Sequence, residues 1–146
     1  MSAPPACGED SAGTLAVVRS PEQILRDARS IAVVGASPDP RRPSHGVVSY
    51  LVRAGYRVVP VNPLADEVLG LRCLGSLAEL EEPVDLVDVF RRPEHCGEVA
   101  RQAAAAGAGA LWLQLGIVSA EARRVAEEAG MDYVEDACTA VVHRRI

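Results

Sequence analysis

Aromatic residues are nearly missing from this chain of 146 residues, which holds one Phe, one Trp and three Tyr. So few rings exclude recognition of single-stranded nucleic acid by base stacking, which needs a series of aromatic platforms. Basic residues do not outweigh acidic ones either. The formal charge of −5 excludes a general binder of the phosphate backbone, so any anion site has to come from a local cluster. No apolar run approaches the roughly 20 residues of a membrane span. The opening "MSAPPACGEDSAG" lacks the basic start and continuous apolar stretch of a secretory signal. Four cysteines, Cys7, Cys73, Cys96 and Cys138, form no C-x-x-C pair. They are expected to be free thiols in a reducing cytoplasm rather than a disulfide framework. There is no internal repeat and no charge block.

What is present is an alternation of two kinds of segment. Residues 1–19, rich in Ala, Pro, Gly and Ser, are expected to form a mobile N-terminal tail, and residues 20–146 a single domain large enough to bury a core. "SPEQIL" places Ser20 as an N-cap, Pro21 at the first helical position and Gln23 at the third, which predicts a helix from Pro21 to about Arg29. Apolar, β-branched runs at 31–35, 57–61, 84–90, 110–114 and 131–135 predict five strands. Helices are expected at 44–54, 93–106 and 119–129, stopped by Gly55, Gly107 and Gly130, with a short one at "SLAEL" and another closing the chain. Strands apolar on both faces, alternating with helices, indicate an α/β fold of three layers. The reading is a Rossmann-like, doubly wound parallel sheet of five strands in the order 3-2-1-4-5. Ligands of such sheets bind at the carboxyl ends of the strands, which selects positions 35–44, 61–64, 89–93, 114–117 and 136–138.

The first of these segments, "VVGASPDPRRPSHGV", lacks the G-x-G-x-x-G of dinucleotide-binding loops. Gly35 still permits a tight turn and close approach of a ligand to the backbone, and the helix after it offers unpaired N–H groups and a positive dipole end. Ser37 adds a hydroxyl. The end of the second strand, "VVPVNP", lacks the Asp or Glu that holds the ribose diol of NAD; Asn62 stands there between Val61 and Pro63. Without that carboxylate an extra ribose phosphate is not repelled, and Arg41 and Arg42 are candidates to neutralise it, although an isolated Arg pair is more often a solvated loop. "VDVFRRPEH" puts Phe90, Arg91 and Arg92 at the mouth of the expected cleft, where a ring or guanidinium can pack on a purine; Phe90 reads equally well as core. Tetrahedral ligand spacing for zinc is missing, as is the G-x-S-x-G elbow of a hydrolase. Cys73 and Cys96 read as inert and buried. Cys138, at the carboxyl edge of the sheet, stays open as a reactive thiol.

Taken together and in order, "VVGASPDPRRPSHGV", "YRVVPVNP", "VDLVDVFRRPE", "LWLQLGI" and "DACTAVVHRR" resemble the small stand-alone CoA-binding proteins. These are Rossmann-like domains similar to the CoA-binding part of the succinyl-CoA synthetase alpha subunit, and the resemblance spans about residues 20–145. It implies that Gly35, Ala36 and Ser37 cradle the pyrophosphate of coenzyme A, flanked by Arg42, Pro43 and Ser44. Val61, Asn62, Pro63, Phe90 and Arg91 would hold the adenosine end, while Gln114 and Gly116 line the way to the pantetheine arm. Two departures stand out: Ala137 and Val141 replace an Arg and a Glu common after the fifth strand of relatives, and Leu64 stands where many carry a Lys. The expected activity is cytoplasmic binding of CoA or acyl-CoA, a small-molecule ligand, without catalysis. Two other readings remain open, a small NAD(P)-binding redox module and a subunit that delivers CoA to a larger acyl-CoA enzyme. No nucleic-acid or membrane partner and no metal is expected.

Overall fold

The computed structural model describes residues 18–146; most of the expected tail, residues 1–17, lies outside the described residues. Arg19, assigned by the sequence to that tail, is tied to the domain. Its Nε donates to Asp132 at 2.6 Å and its Nη1 to Asp27 at 3.1 Å.

The local signals act as their chemistry dictates. Helix α1 (Pro21–Asp27) starts with Ser20 Oγ accepting from the Gln23 N–H at 3.1 Å. Strand β1 (Ser30–Val34) leads into α2 (Pro43–Arg53), and β2 (Arg57–Val61) follows. A small antiparallel hairpin, β3 (Glu67–Val68) and β4 (Leu71–Arg72), comes next. The sequence places only a loop there, because its turn puts Leu69 at φ 52° beside Gly70 at φ 79°, and leucine rarely marks such a turn. "SLAEL" forms a single 3-10 turn capped by Ser76. Strand β5 (Leu86–Val89), α3 (Pro93–Ala105), β6 (Ala110–Leu113), α4 (Ala120–Ala129), β7 (Asp132–Val134) and α5 (Thr139–His143) complete the chain. α4 has Ser119 at its start, accepting from Ala122 N–H, and Gly130 in the left-handed region at its end.

Five strands form one parallel sheet in the order β2-β1-β5-β6-β7. The α/β class and the doubly wound parallel sheet agree with the sequence, but the order corrects one detail. The third sheet strand in sequence, β5, pairs with β1 rather than lying outside β2. Pro60 supplies the physical reason. A proline has no N–H to give a ladder, so its strand belongs at a sheet edge, and an order that sandwiched β2 between two neighbours would demand that donor. Among the described residues only the Leu74 segment runs along the outer side of β2, where the Pro60 carbonyl accepts from the Leu74 N–H at 3.0 Å.

Alternation along the strands feeds two cores, one on each face. Ala32, Val34, Val87, Val89, Leu111 and Leu113 pack against α3 and α4. Ile31, Val33, Leu86 and Trp112 pack against α1, α2 and α5. The register sets one charged residue, Asp88, in the row between Val33 and Trp112 of this second face, where it is fully buried. Among the described residues no helix is long and apolar enough to cross a membrane.

Candidate functional site

With β5 beside β1, the winding of the sheet reverses between these two strands, and a crevice opens at their carboxyl ends. An open cleft of about 1190 Å³ occupies that edge. That exceeds the roughly 300–1,000 Å³ of ordinary small-molecule pockets and suits an extended ligand. Of the residues singled out in the sequence, Gly35, Ser37, Arg42, Pro43, Ser44, Val61, Asn62, Pro63, Phe90, Arg91, Gln114 and Cys138 all line it. Ala36, Arg41 and Gly116 do not.

Gly35 holds the crevice together. Its N–H extends the ladder to the Val61 carbonyl at 2.9 Å, while the Phe90 N–H donates to Val34 at 2.8 Å. Its φ is +89°, and a Cβ placed there would lie 2.5 Å from the Phe90 carbonyl oxygen. Glycine is therefore demanded by the fold itself, and a larger residue would disturb the sheet as well as any ligand. The remainder of the loop is partly spent on its own shape. The Ser37 N–H donates to Ser44 Oγ at 3.1 Å, and Ser37 Oγ accepts from the Asp39 N–H at 3.0 Å. Ala36 turns its methyl into the core, and its N–H has no partner among the described residues. To a phosphate the cleft-lining part of the loop thus offers the Ser37 and Ser44 hydroxyls and the Ser44 N–H, which has no partner among the described residues, fewer backbone groups than the sequence suggests.

The arginines separate by their partners. Arg41 points away, its guanidinium bonded to both carboxylate oxygens of Asp39 at 3.1 and 3.0 Å; that bond also holds the Asp39 carboxyl below its usual range. Its expected part in the site is not seen, because a residue two positions back neutralises it. Arg42, Arg91 and Arg92 all line the cleft. Among the described residues the paired guanidiniums are those of Arg19, Arg41, Arg57, Arg101 and Arg123, and these three have no such partner. All fifteen basic residues of the chain are arginines. The cleft therefore gathers three unpaired planar cations against a single carboxylate, Glu98, in a protein that is acidic overall.

Asn62 lines the cleft with its side chain already engaged. Its Nδ2 donates to the Ala36 carbonyl at 2.8 Å, and its Oδ1 accepts from the Leu64 N–H at 2.9 Å. It pins the Gly35 loop to the end of β2 and, unlike a carboxylate, brings no charge to a ribose diol. Phe90 is partly buried against the second core and also lines the cleft. Leu64 is 93% exposed at the rim. Gly116 gives its N–H to Asp136 Oδ1 at 2.7 Å, outside the cleft. Its function is conformational, as φ +84° shows.

Cys96 is buried, as expected. Its thiol lies against the Arg91 and Arg92 carbonyls, and burial pushes it up to about 11. Cys73 is half-buried, and burial raises it too. Cys138 is half-buried and faces the cleft just ahead of α5. His143 turns away from it, with Nδ1 2.8 Å from the Tyr50 hydroxyl. Sequence reasoning missed the α3 wall of the cleft, His95, Glu98, Val99 and Gln102. Their i, i+3, i+4, i+7 spacing, starting just after Arg91 and Arg92, was a readable signal of one helix face. It also missed Gly75 and Ser76, which reach the cleft only through the Val61–Leu74 bridge. No local pattern announces that contact.

Residues 29–144 match the family model of the CoA binding domain. The chain belongs to that family of Rossmann-like, coenzyme-binding domains. It is 41% identical over 122 residues to the uncharacterized protein YneT of Bacillus subtilis, covering 84% of this chain and 90% of that one. Its structure is similar to that of a hypothetical protein from Pyrococcus horikoshii, with 38% identity and a TM-score of 0.83 over 87% of this chain and 92% of the other. The same fold recurs inside a larger enzyme, the dinucleotide-forming acetyl-coenzyme A synthetase 1 of Ca. Korarchaeum cryptofilum. There the identity is 27% and the TM-score 0.66, over 74% of this chain but 26% of the synthetase chain.

Proposed function

We propose that this protein binds coenzyme A or an acyl-CoA in the cleft at the carboxyl edge of its sheet and carries out no chemistry of its own. The observation that carries this reading is the trio Arg42, Arg91 and Arg92, unpaired among the described residues, facing the Gly35 loop. Coenzyme A concentrates its charge in the 3′-phospho-ADP half and carries an uncharged pantetheine arm. The cleft has the same asymmetry. Arginines follow β1 and β5, while the segments after β6 and β7 bring Gln114 and Cys138. The phosphates belong with the arginines, the Ser44 N–H and the Ser37 and Ser44 hydroxyls; the purine belongs near Phe90, Val61 and Pro63. An NAD site is disfavoured, since Asn62 is bonded to the backbone at both ends of its amide and no carboxylate takes the ribose diol.

Titrating CoA, dephospho-CoA, NAD and NADP by calorimetry at two ionic strengths tests the reading. CoA is expected to bind about tenfold more tightly than dephospho-CoA. A charge-assisted contact contributes about 1.5–3 kcal/mol, and exposure at the cleft mouth pulls this to the low end. The preference should shrink as salt rises. Equal affinity for the two would remove the phosphate argument, and a preference for NAD or NADP would overturn the reading.

Cys138 gives a second check, because its thiol faces the uncharged end of the cleft. In exchange with CoA disulfide the Cys138 thiolate attacks one sulfur, forms a protein–CoA disulfide and releases one CoA thiol. Intact-mass measurement should show a single CoA adduct, absent in Cys138→Ser. An adduct that persists in that variant would assign the exchange to another cysteine.

A further inference from the structure

Below the uncharged end of the cleft lies a closed triangle of buried polar groups. Gln114 Nε2 approaches Asp88 Oδ1 at 2.5 Å and Thr139 Oγ1 at 2.9 Å, and Thr139 Oγ1 lies 3.0 Å from Asp88 Oδ2. A glutamine amide nitrogen has two hydrogens. One goes to the Asp88 carboxyl and the other to the Thr139 hydroxyl, whose own hydrogen returns to Asp88. With Asp88 ionised, every donor of the triangle is used. Gln114 Oε1, by contrast, has no hydrogen-bond partner among the described residues, although Gln114 is 3% exposed and lines the cleft. A buried acceptor left without a partner is costly, so this oxygen is a site waiting for a donor. A charged residue in the middle of an apolar strand is costly as well, and Asp88 makes no ion pair among the described residues to offset it.

We propose that Asp88 is a positioning residue: by holding the Gln114 amide nitrogen inward it presents Gln114 Oε1 to the cleft as an acceptor for an amide N–H of the pantetheine arm. This rests on the CoA reading. With the phosphates on Arg42, Arg91 and Arg92, the sheet order leads the rest of the ligand over the end of β6, and the N–H donors of the arm are its amides. Remove the carboxyl, and the Gln114 nitrogen loses its anchor, so the amide can turn its donor face to the ligand, opposing the N–H it should accept.

The experiment compares two ligands, CoA and adenosine 3′,5′-bisphosphate, which keeps the phosphates and purine and lacks the arm. Asp88→Val should weaken CoA by about tenfold, the loss of one hydrogen bond of up to about 1.5 kcal/mol, and leave the bisphosphate unchanged. Asp88→Asn keeps an acceptor towards Gln114 and should restore CoA binding. Gln114→Leu should cost as much as Asp88→Val, with no further loss in the double variant, since both remove one interaction. If Asp88→Val does not fold, Thr139→Val takes its place in the cycle, because Thr139 holds the other Gln114 hydrogen. A purely structural role for Asp88 would weaken both ligands together or neither, and either result overturns the proposal. If the unaltered protein binds the bisphosphate but gains nothing from the arm, the positioning claim fails alone. If it binds neither ligand, the CoA reading fails and takes the proposal with it.

Discussion

Replacing Arg42, Arg91 and Arg92 together by glutamine should reduce CoA affinity by at least about 100-fold while leaving the thermal unfolding midpoint nearly unchanged. Each guanidinium contributes a charge-assisted contact that solvent at the cleft mouth reduces to about 1 kcal/mol, and three of these exceed two factors of ten. The stability half of the expectation follows from their partners. None of the three is among the paired arginines, and neither Arg42 nor Arg92 makes a side-chain cap bond at the helix it precedes. Exposed substitutions free of such contacts usually stay within about 0.5 kcal/mol each. Arg41→Gln is the internal control. Its charge is spent on Asp39, so affinity should stay within about twofold. Calorimetry and a thermal melt of each variant decide the matter. A triple variant that binds CoA as the unaltered protein does would remove the arginines from the site.

The contrast between Arg41 and Arg42 shows where sequence reading stops. Both stand in one dipeptide, and only the folded turn tells that Asp39 reaches the first and leaves the second free. The sheet is legible because its cause is repeated. Buried strands such as "SIAVV" and "ALWL" are apolar on both faces, and Ser20, Ser119 and Gly130 mark helix ends with local chemistry. The strand order was misread from the sequence as 3-2-1-4-5, although Pro60, a residue that cannot serve a central strand, carries the signal. Most of the cleft follows from the rule that strand ends gather, which brings Gly35, Asn62, Phe90, Gln114 and Cys138 to one edge. What a rule of edges cannot supply is whether a side chain is still free. Asn62, Ser37 and Arg41 all look like ligand contacts in the sequence, yet each is bonded to its own scaffold. Asp88 is the reverse case. Its position inside "DLVDVF" reads as part of a strand, and its meaning appears only when Gln114 and Thr139, 26 and 51 residues away, close around it.

Asp88 also predicts how stability depends on pH. Burial raises its carboxyl from the ordinary 3.8 to about 7, only partly opposed by hydrogen bonds from Gln114, Thr139 and the Val89 N–H. No charged group is among the causes. The helices covering this face carry the titratable pair Tyr50 and His143, which bond to each other, and Cys138 lies beside the triangle at the start of α5. With the folded value above the unfolded one, the native protein holds a proton between about pH 4 and 7 that the unfolded chain has released. Stability from this group is therefore fully present below about pH 4 and is lost as pH rises through 7. At about 1.4 kcal/mol per pH unit, that window amounts to about 4 kcal/mol. Other carboxylates act in the opposite sense. Asp85 is held low chiefly by the Arg29 N–H and also by Ser30, and it adds stability that disappears as pH falls. Subtraction isolates Asp88, because Asp88→Asn leaves Asp85 in place and titrates nowhere in this range. Urea unfolding of both proteins from pH 4 to 8 should show the unaltered protein losing about 4 kcal/mol relative to Asp88→Asn, with the fall complete just above neutrality. Parallel curves across that range would mean that Asp88 is ionised throughout and that the triangle tolerates a buried charge without penalty.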